Sequence, residues 1–375
     1  MFVFDLTACQ SYGKTIKHGG GEYARIIFEA LLARGGSFSC VYSTALFIDS
    51  YFLQKCKERR IICKDYKDLG LIPTLKSMNC TTFYSALPYL YGNLNFTGIN
   101  FIGTIHGLRD LEIQSDSNMY LYESSFQAKC KSLLKETKFY KKISYERNYK
   151  RFKSLFENQS FKYIVVSNHT KNAILTFFPE INPTNIQIYY SPNYVEIKEH
   201  INSSESFYLL VSGNRWLKNS FRALKAIDNL ISKGLIHRKT LVTGSCSKYI
   251  LNRLKNKHLF TFLPYVSDEE LSQLMQKAYC FIYPSLNEGF GYPPLQAMAC
   301  GTPVIASAVC SIPEVCGLGA LYFNPYSVCE IENRLLQIED NCIRSTLIVE
   351  GYKRFEFISK RQTEDLKNLV DFLLK

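Results

Sequence analysis

No uninterrupted apolar run in the chain approaches the ~20 residues that a membrane-spanning helix needs. The opening stretch Met1-Phe2-Val3-Phe4-Asp5 carries no basic region and no cleavage site, so it reads as a first strand and not as a signal peptide. No Cys-x-x-Cys pair occurs. The thirteen cysteines, an odd number scattered from Cys9 to Cys342, suit buried thiols in a reducing compartment better than a disulfide framework or a zinc site. His and Cys do not cluster at ligand spacing, which gives no support to a bound transition metal. Gly-x-Ser-x-Gly and the P-loop sequence are absent, as are solenoid repeats and low-complexity tracts. What is left is a cytoplasmic protein with a full core: 46% of residues are hydrophobic and 21% charged.

At roughly 100–200 residues per domain, 375 residues suggest two domains. The formal net charge is +12, and it is concentrated. Between Lys129 and Lys153 ten basic residues stand against two acids, Glu136 and Glu146, a local net of +8. Such a block attracts nucleic acid or an anionic membrane face, or it is a solvated helical face.

Apolar runs at 2–8, 38–42, 101–105 and 163–167 alternate with helical stretches, the clearest marked by Tyr23, Ile26, Ile27, Ala30 and Leu31 after the turn Gly19-Gly20-Gly21. The polar stretch from Ser191 to Ser206 is the linker candidate. The pattern then restarts, with apolar runs at 207–212, 240–243, 260–263, 279–283, 303–306 and 320–323. Ser267 with Glu270 predicts a capping box opening a helix over 268–278. Strand and helix in alternation predict α/β domains built on parallel sheets.

The most informative stretch runs from Tyr283 to Ser307. It reads as a strand, a loop punctuated by Gly289 and Gly291, a short helix entered through Pro293 or Pro294 and ended at Gly301, and a further strand at 304–306. Ligands of open parallel sheets sit beyond the carboxyl ends of the strands, and a helix N-terminus there offers free amides to a diphosphate. Glu288 then lies where a carboxylate can hold sugar hydroxyls; the alternative is a plain strand–loop–helix unit with Glu288 on the surface.

Glu288-Gly-Phe-Gly-Tyr-Pro-Pro-Leu-Gln-Ala-Met-Ala-Cys-Gly-Thr-Pro-Val-Ile-Ala-Ser307 resembles the signature of family 4 retaining glycosyltransferases, which have the GT-B fold of two Rossmann-like α/β domains facing a cleft. Ser311-Ile-Pro-Glu-Val315 and Leu321-Tyr-Phe-Asn-Pro325 are similar to that family's next segments. The resemblance implies that Glu288 touches the donor sugar, beside Gly289, Phe290 and Gly291. Position 296, the family's second glutamate and its ribose contact, is Gln296 here; an amide still hydrogen-bonds hydroxyls, without charge assistance. Leu210-Val-Ser-Gly-Asn-Arg-Trp-Leu-Lys218 resembles the segment whose cations clamp the donor diphosphate, which gives that role to Arg215 and Lys218, at a shorter spacing than in many members. Gly19-Gly20-Gly21 resembles the family's glycine-rich loop, so Gly20 and Gly21 would face phosphate and acceptor; His106, in Thr104-Ile-His-Gly-Leu, resembles the strand-end His that reaches the donor sugar. Ile164–Asn168 and Gln187–Asn193 resemble segments that close the first domain.

The implied domains are 1–195 for the acceptor, 196–355 for the nucleotide-sugar donor, and a helix over 356–375 crossing back to the first. The implied activity is metal-independent transfer of a hexose-type sugar from a UDP- or GDP-sugar to a glycan or lipid-linked saccharide, with retention, in bacterial surface polysaccharide (O-antigen or capsule) synthesis. No cofactor is expected beyond the nucleotide-sugar co-substrate. The absence of Asp-x-Asp argues against the metal-bridged donor site of the other major glycosyltransferase fold. No carboxylate stands out as a covalent nucleophile, so same-face displacement is expected, with the leaving phosphate taking the acceptor proton. The basic segment 129–153, set in the acceptor domain, is expected to meet anionic headgroups at the inner face of the cell membrane. The alternative is a non-catalytic protein of the same fold that binds nucleic acid or membrane through that segment.

Overall fold

In the computed structural model, residues 1–10, 19–158, 160–201 and 206–375 are described. The chain folds as two compact units, each around its own parallel sheet. The first comprises 1–108, 147–193 and 359–375, the second 109–146 and 194–358. Residues 109–146 thus group with the second unit, where the sequence reading had kept them in the first domain. The basic segment is divided accordingly: 129–146 belongs to the second unit and 147–153 to the first.

The first sheet has seven strands: β1 (Phe2–Asp5), β2 (Ser39–Tyr42), β3 (Cys63–Asp65), β4 (Thr82–Ser85), β5 (Asn100–Ile105), β6 (Phe161–Val165) and β7 (Ile186–Ile188). Their order is β3-β2-β1-β4-β5-β6-β7, and every pairing is parallel. Aromatic side chains fill much of this core. Phe96 stacks on Phe101 at 4.2 Å between centroids, and Phe4 and Phe52 pack against Phe28 from the helix Gly19–Arg34. Burying one such side chain fully contributes about 1.5–3 kcal/mol. The three glycines read as a turn are instead the first turn of that helix. The stretch 11–18 before it lies outside the described residues.

The second sheet has six parallel strands: β8 (Tyr208–Leu210), β9 (Thr240–Thr243), β10 (Phe260–Leu263), β11 (Cys280–Tyr283), β12 (Val304–Ser307) and β13 (Ala320–Phe323), in the order β10-β9-β8-β11-β12-β13. The helix Ser220–Ser232 lays Ala223, Leu224, Ile227 and Leu230 on it, in one cluster with Val242, Ile282 and Ile305. Leu121 is buried in the same cluster, which accounts for the grouping of its segment with this unit. The capping box at Ser267 and Glu270 is present and opens the helix Asp268–Lys277.

Of the linker candidate, 202–205 lie outside the described residues. Its middle is tacked to the second unit, by Lys198 N donating to Ala299 O and Ile201 N to Gln276 O. The last helix, Asn341–Leu374, is longer than the sequence suggested. Its end belongs to the first unit: Asp365 accepts from Tyr190 N at 2.8 Å, and Arg34 pairs with Asp371 at 3.0 Å. No helix among the described residues is long and apolar enough to cross a membrane.

Candidate functional site

In the second sheet the chain runs outward from β8 to β10, returns, and runs the other way from β11 to β13. The loops leaving β8 and β11 therefore part at a topological switch point, where parallel sheets open a crevice beyond their strand ends. Arg215 and Lys218 lie on the first of these loops, and Glu288, Gly289, Phe290 and Gly291 on the second. Cross-bonding ties the loops together. Leu217 O accepts from Leu286 N at 2.8 Å and from Ser285 Oγ at 3.2 Å, and Asn219 Nδ2 donates to Pro284 O at 3.0 Å and Pro325 O at 2.8 Å. Asn219 holds a left-handed conformation, with φ 53°, to turn from the 3₁₀ segment Trp216–Lys218 into the helix Ser220–Ser232. Gly291, with φ 98°, makes the equivalent turn into the helix Tyr292–Ala299, which Pro293 and Pro294 enter near its start. Ser311 Oγ donates to both Glu288 O and Phe290 O at 2.9 Å and fixes the path of the glycine loop.

The centre of the site is an ion pair that the sequence did not announce. Lys218 Nζ stands 2.6 Å from Glu288 Oε1 and 3.0 Å from the Tyr283 hydroxyl; the Lys and Glu side chains are only 12% and 17% exposed. Ser285 Oγ also donates to Glu288 Oε1. Burial pushes the Glu288 carboxyl up, but the Lys218 charge and hydrogen bonds from Lys218, Ser285 and Tyr283 outweigh it and hold it below the usual carboxylate range. Burial, with the Glu288 charge beside it, pushes the Tyr283 hydroxyl well above its ordinary value. Arg215 is exposed at the start of the 3₁₀ segment. The arrangement offers an exposed cation, a shielded carboxylate and a helix N-terminus around one crevice, the parts needed to grip a diphosphate and a hydroxylated ring.

The segment 109–122 supplies residues that motif reading missed. Asn287 Nδ2 donates to Glu112 at 2.9 Å. Arg222 makes a two-pronged pair with Asp116, at 3.0 and 2.8 Å, and donates to Asn219 Oδ1 at 2.8 Å. The Tyr122 hydroxyl accepts from Phe221 N at the helix start. Their signal lay in long-range packing and not in local spacing.

Gln296 lies on the helix Tyr292–Ala299, which the glycine loop enters. It lines a cavity of about 460 Å³ with Tyr194, Lys198, Asp268, Glu269 and Ser272, and no other residue singled out from the sequence lines that cavity. The carboxylates there suit hydroxyl donors better than phosphate.

His106, Gly20 and Gly21 belong to the first unit. His106 follows β5, its Nε2 lies 2.9 Å from Ala86 O, and its ring meets Tyr23 edge-on at 4.7 Å. A Cβ on Gly20 would lie 2.8 Å from the end of the Leu87 side chain, which would have to shift to admit it. Both features sit near the first sheet's own switch point, between β1 and β4.

Known proteins resemble this chain in sequence and in fold. Residues 195–354 match the model of a family described as glycosyl transferases group 1. O-antigen chain mannosyltransferase RfbU of Salmonella typhimurium is 26% identical over 234 residues, 60% of this chain and 63% of that protein. O-antigen chain mannosyltransferase B of Escherichia coli is 44% identical over 91 residues, 24% of each chain. The matched regions thus span less than two thirds of either relative. Sucrose-phosphate synthase from Thermosynechococcus elongatus superposes with a TM-score of 0.67 at 17% identity, covering 98% of both chains. The fold is GT-B.

Proposed function

We propose that the chain, whose residues 195–354 match the model of the glycosyl transferases group 1, transfers a hexose from a nucleoside-diphosphate donor to a glycan or lipid-linked saccharide with retention of configuration, as a family 4 enzyme. The observation that carries the reading is the Lys218–Glu288 pair at the β8/β11 switch point. Arg215 and Lys218 would face the donor diphosphate, with amides of Gly289, Phe290 and Gly291 beside it. Glu288, released from Lys218 as the diphosphate takes that cation, would hold the sugar hydroxyls. Gln296 would serve the ribose and His106 the sugar, with Gly20 and Gly21 on the acceptor side.

In the transfer step the acceptor hydroxyl oxygen bonds to the anomeric carbon while the bond from that carbon to the β-phosphate oxygen breaks. The departing phosphate takes the acceptor proton, on the same face. Fixed cations stabilise the charge that develops on it, so the reading asks for no metal ion. The relatives' names make mannose the first sugar to try, on GDP or UDP, in O-antigen or capsule assembly. A panel of nucleotide-hexoses incubated with the full chain should release nucleoside diphosphate from one of them, and Glu288→Ala should abolish release at a temperature where the variant, though less stable, is still folded. No release from any donor, or full release by that variant, would overturn the assignment.

The same reading includes contact with an anionic membrane. In the helices Phe126–Lys135 and Lys138–Phe156, Phe126, Leu134 and Phe139 are 72%, 62% and 76% exposed, with Leu133 and Ile143 also outside. Exposed Lys131, Lys138 and Lys142 lie between them. Lys129 is instead drawn over the Tyr249 ring at 4.8 Å. Apolar side chains interleaved with lysines favour headgroups over nucleic acid, because only a bilayer buries the apolar part. Vesicles containing phosphatidylglycerol should sediment the chain, and Leu134→Ser with Phe139→Ser should release it. Equal sedimentation with neutral vesicles, or salt-sensitive RNA binding in its place, would refute this part.

A further inference from the structure

Three cysteines that show no metal spacing in the sequence come together in the first unit. Cys40 lies on β2, Cys56 on the helix Ser50–Glu58 and Cys63 on β3. Cys40 and Cys63 are register partners on adjacent parallel strands, so their side chains leave the sheet on one face. Cys56 reaches the same point from the helix that connects them. All three sulfurs lie within 4.8 Å of one another, and Cys40 and Cys56 are 3.9 Å apart. Cys40 and Cys56 are buried, at 0% and 2% exposure, while Cys63 is half-buried and gives access from solvent.

A cation bound at about 2.3 Å from each of three thiolates holds the sulfurs about 3.8–4.0 Å apart, in tetrahedral or trigonal geometry. The Cys40–Cys56 separation already meets that figure, and the widest separation exceeds it by less than about 1 Å. We propose that Cys40, Cys56 and Cys63 form a binding site for a thiophilic d¹⁰ cation, zinc or copper(I), which clips the edge strand β3 and the helix Ser50–Glu58 to β2. Sulfur-only donors select this class over magnesium, calcium or manganese. Among the described residues no fourth His, Cys, Asp or Glu ligand atom joins the group, so a fourth position belongs to water on the Cys63 side.

Binding releases the thiol protons to solvent and involves no electron transfer. The clip acts at one edge of the sheet. β3 has three residues, all half-exposed, and pairs on one side only.

The test uses the full chain, reduced and stripped of metal, titrated with Zn²⁺ against a chromophoric chelator and separately with Co²⁺. One equivalent of Zn²⁺ should bind with an upward shift in melting temperature, and Co²⁺ should give thiolate-to-metal charge-transfer absorption. Cys63→Ser, which opens no cavity, should weaken Zn²⁺ at least tenfold and remove that absorption; Cys342→Ser, at an exposed thiol, should change neither. Failure of the wild type to bind an equivalent would overturn the proposal, as would Cys63→Ser binding like wild type. Loss of two thiols to a disulfide in air, with no metal bound after reduction, would overturn it in favour of a redox pair.

Discussion

Replacing Glu288 by Gln should destabilise the second unit and at the same time tighten its hold on a bare nucleoside diphosphate. At 2.6 Å and an effective dielectric of about 20, the gross attraction between Lys218 and Glu288 is about 6 kcal/mol, most of it offset by desolvation. Removing one partner of a buried pair costs about 3–5 kcal/mol. The two side chains retain some exposure, 12% and 17%, and the new amide still accepts a hydrogen bond, so about 2 kcal/mol is expected. For a unit of this size that is a fall of about 4–8 °C in melting temperature. The freed ammonium then gains a phosphate without losing a carboxylate. One charge-assisted hydrogen bond is worth about 1.5–3 kcal/mol, so affinity for UDP or GDP should rise about tenfold or more. Lys218→Met should cost comparable stability, through an unpaired Glu288, and weaken the same ligand about tenfold. Urea denaturation and isothermal titration calorimetry on both variants and the double variant separate the terms. A Glu288→Gln protein that binds every diphosphate no better than wild type would refute the idea that the pair guards the phosphate site.

Arg222→Met should cost about 3–5 kcal/mol in urea denaturation, because it strands Asp116, whose side chain is 7% exposed; Asp116→Leu combined with it should recover most of the loss, and a loss under 1 kcal/mol would contradict the burial argument. Asp228 opposes its burial with hydrogen bonds from Asn256 N and Lys255 N and the Lys225 charge, and its carboxyl is held below the usual range. Its stabilisation is therefore complete above the unfolded value of about 3.9 and is lost as pH falls through the lower folded value. The melting-temperature gap between wild type and Asp228→Asn should narrow below about pH 4, and a gap that widens there reverses the sign. Gly291→Ala has open space, with its nearest neighbour Ile312 at 4.0 Å, but a φ of 98°, so it should cost about 1–2 kcal/mol of backbone strain. Gly19→Ala, within a helix and with nothing within 4 Å, should be neutral or slightly stabilising by the same melting assay.

The six strands of the second sheet are each legible as apolar runs because parallel strands covered on both faces have no polar alternation. In the first sheet β3, β4 and β7 escape notice. Cys63-Lys64-Asp65 is an exposed edge, Thr82-Phe-Tyr-Ser85 has polar ends, and Ile186-Gln-Ile188 is three residues long. Motif reading singled out Lys218 and Glu288 separately, yet their contact links positions seventy residues apart and needs the sheet order to be seen. It could not find Glu112, Asp116 or Tyr122. Nothing local in 109–146 says that Leu121 joins the second core, and the sequence reading had kept these residues in the first domain. For Gln296, the motif position told nothing of the cavity its side chain lines.

Two sheets with the same topology present two switch points, and their chemistry differs in a way that bears on where a diphosphate can bind. At the first, the carboxylate Asp5 ends β1 and is fully buried. It accepts hydrogen bonds from Thr7, Ser85 and Tyr91, and burial raises its pKa. A carboxyl so enclosed contributes order to the strand ends, and among the described residues no lysine or arginine is hydrogen-bonded to it. At the second switch point the corresponding loops carry an exposed arginine and a lysine whose one strong partner is a carboxylate. An incoming dianion can compete for that lysine, because it offers more charge than Glu288 and leaves the Glu288 carboxylate the Ser285 and Tyr283 hydroxyls as donors. Topology supplies both crevices, and the second has cations that a phosphate can recruit without leaving a buried charge alone.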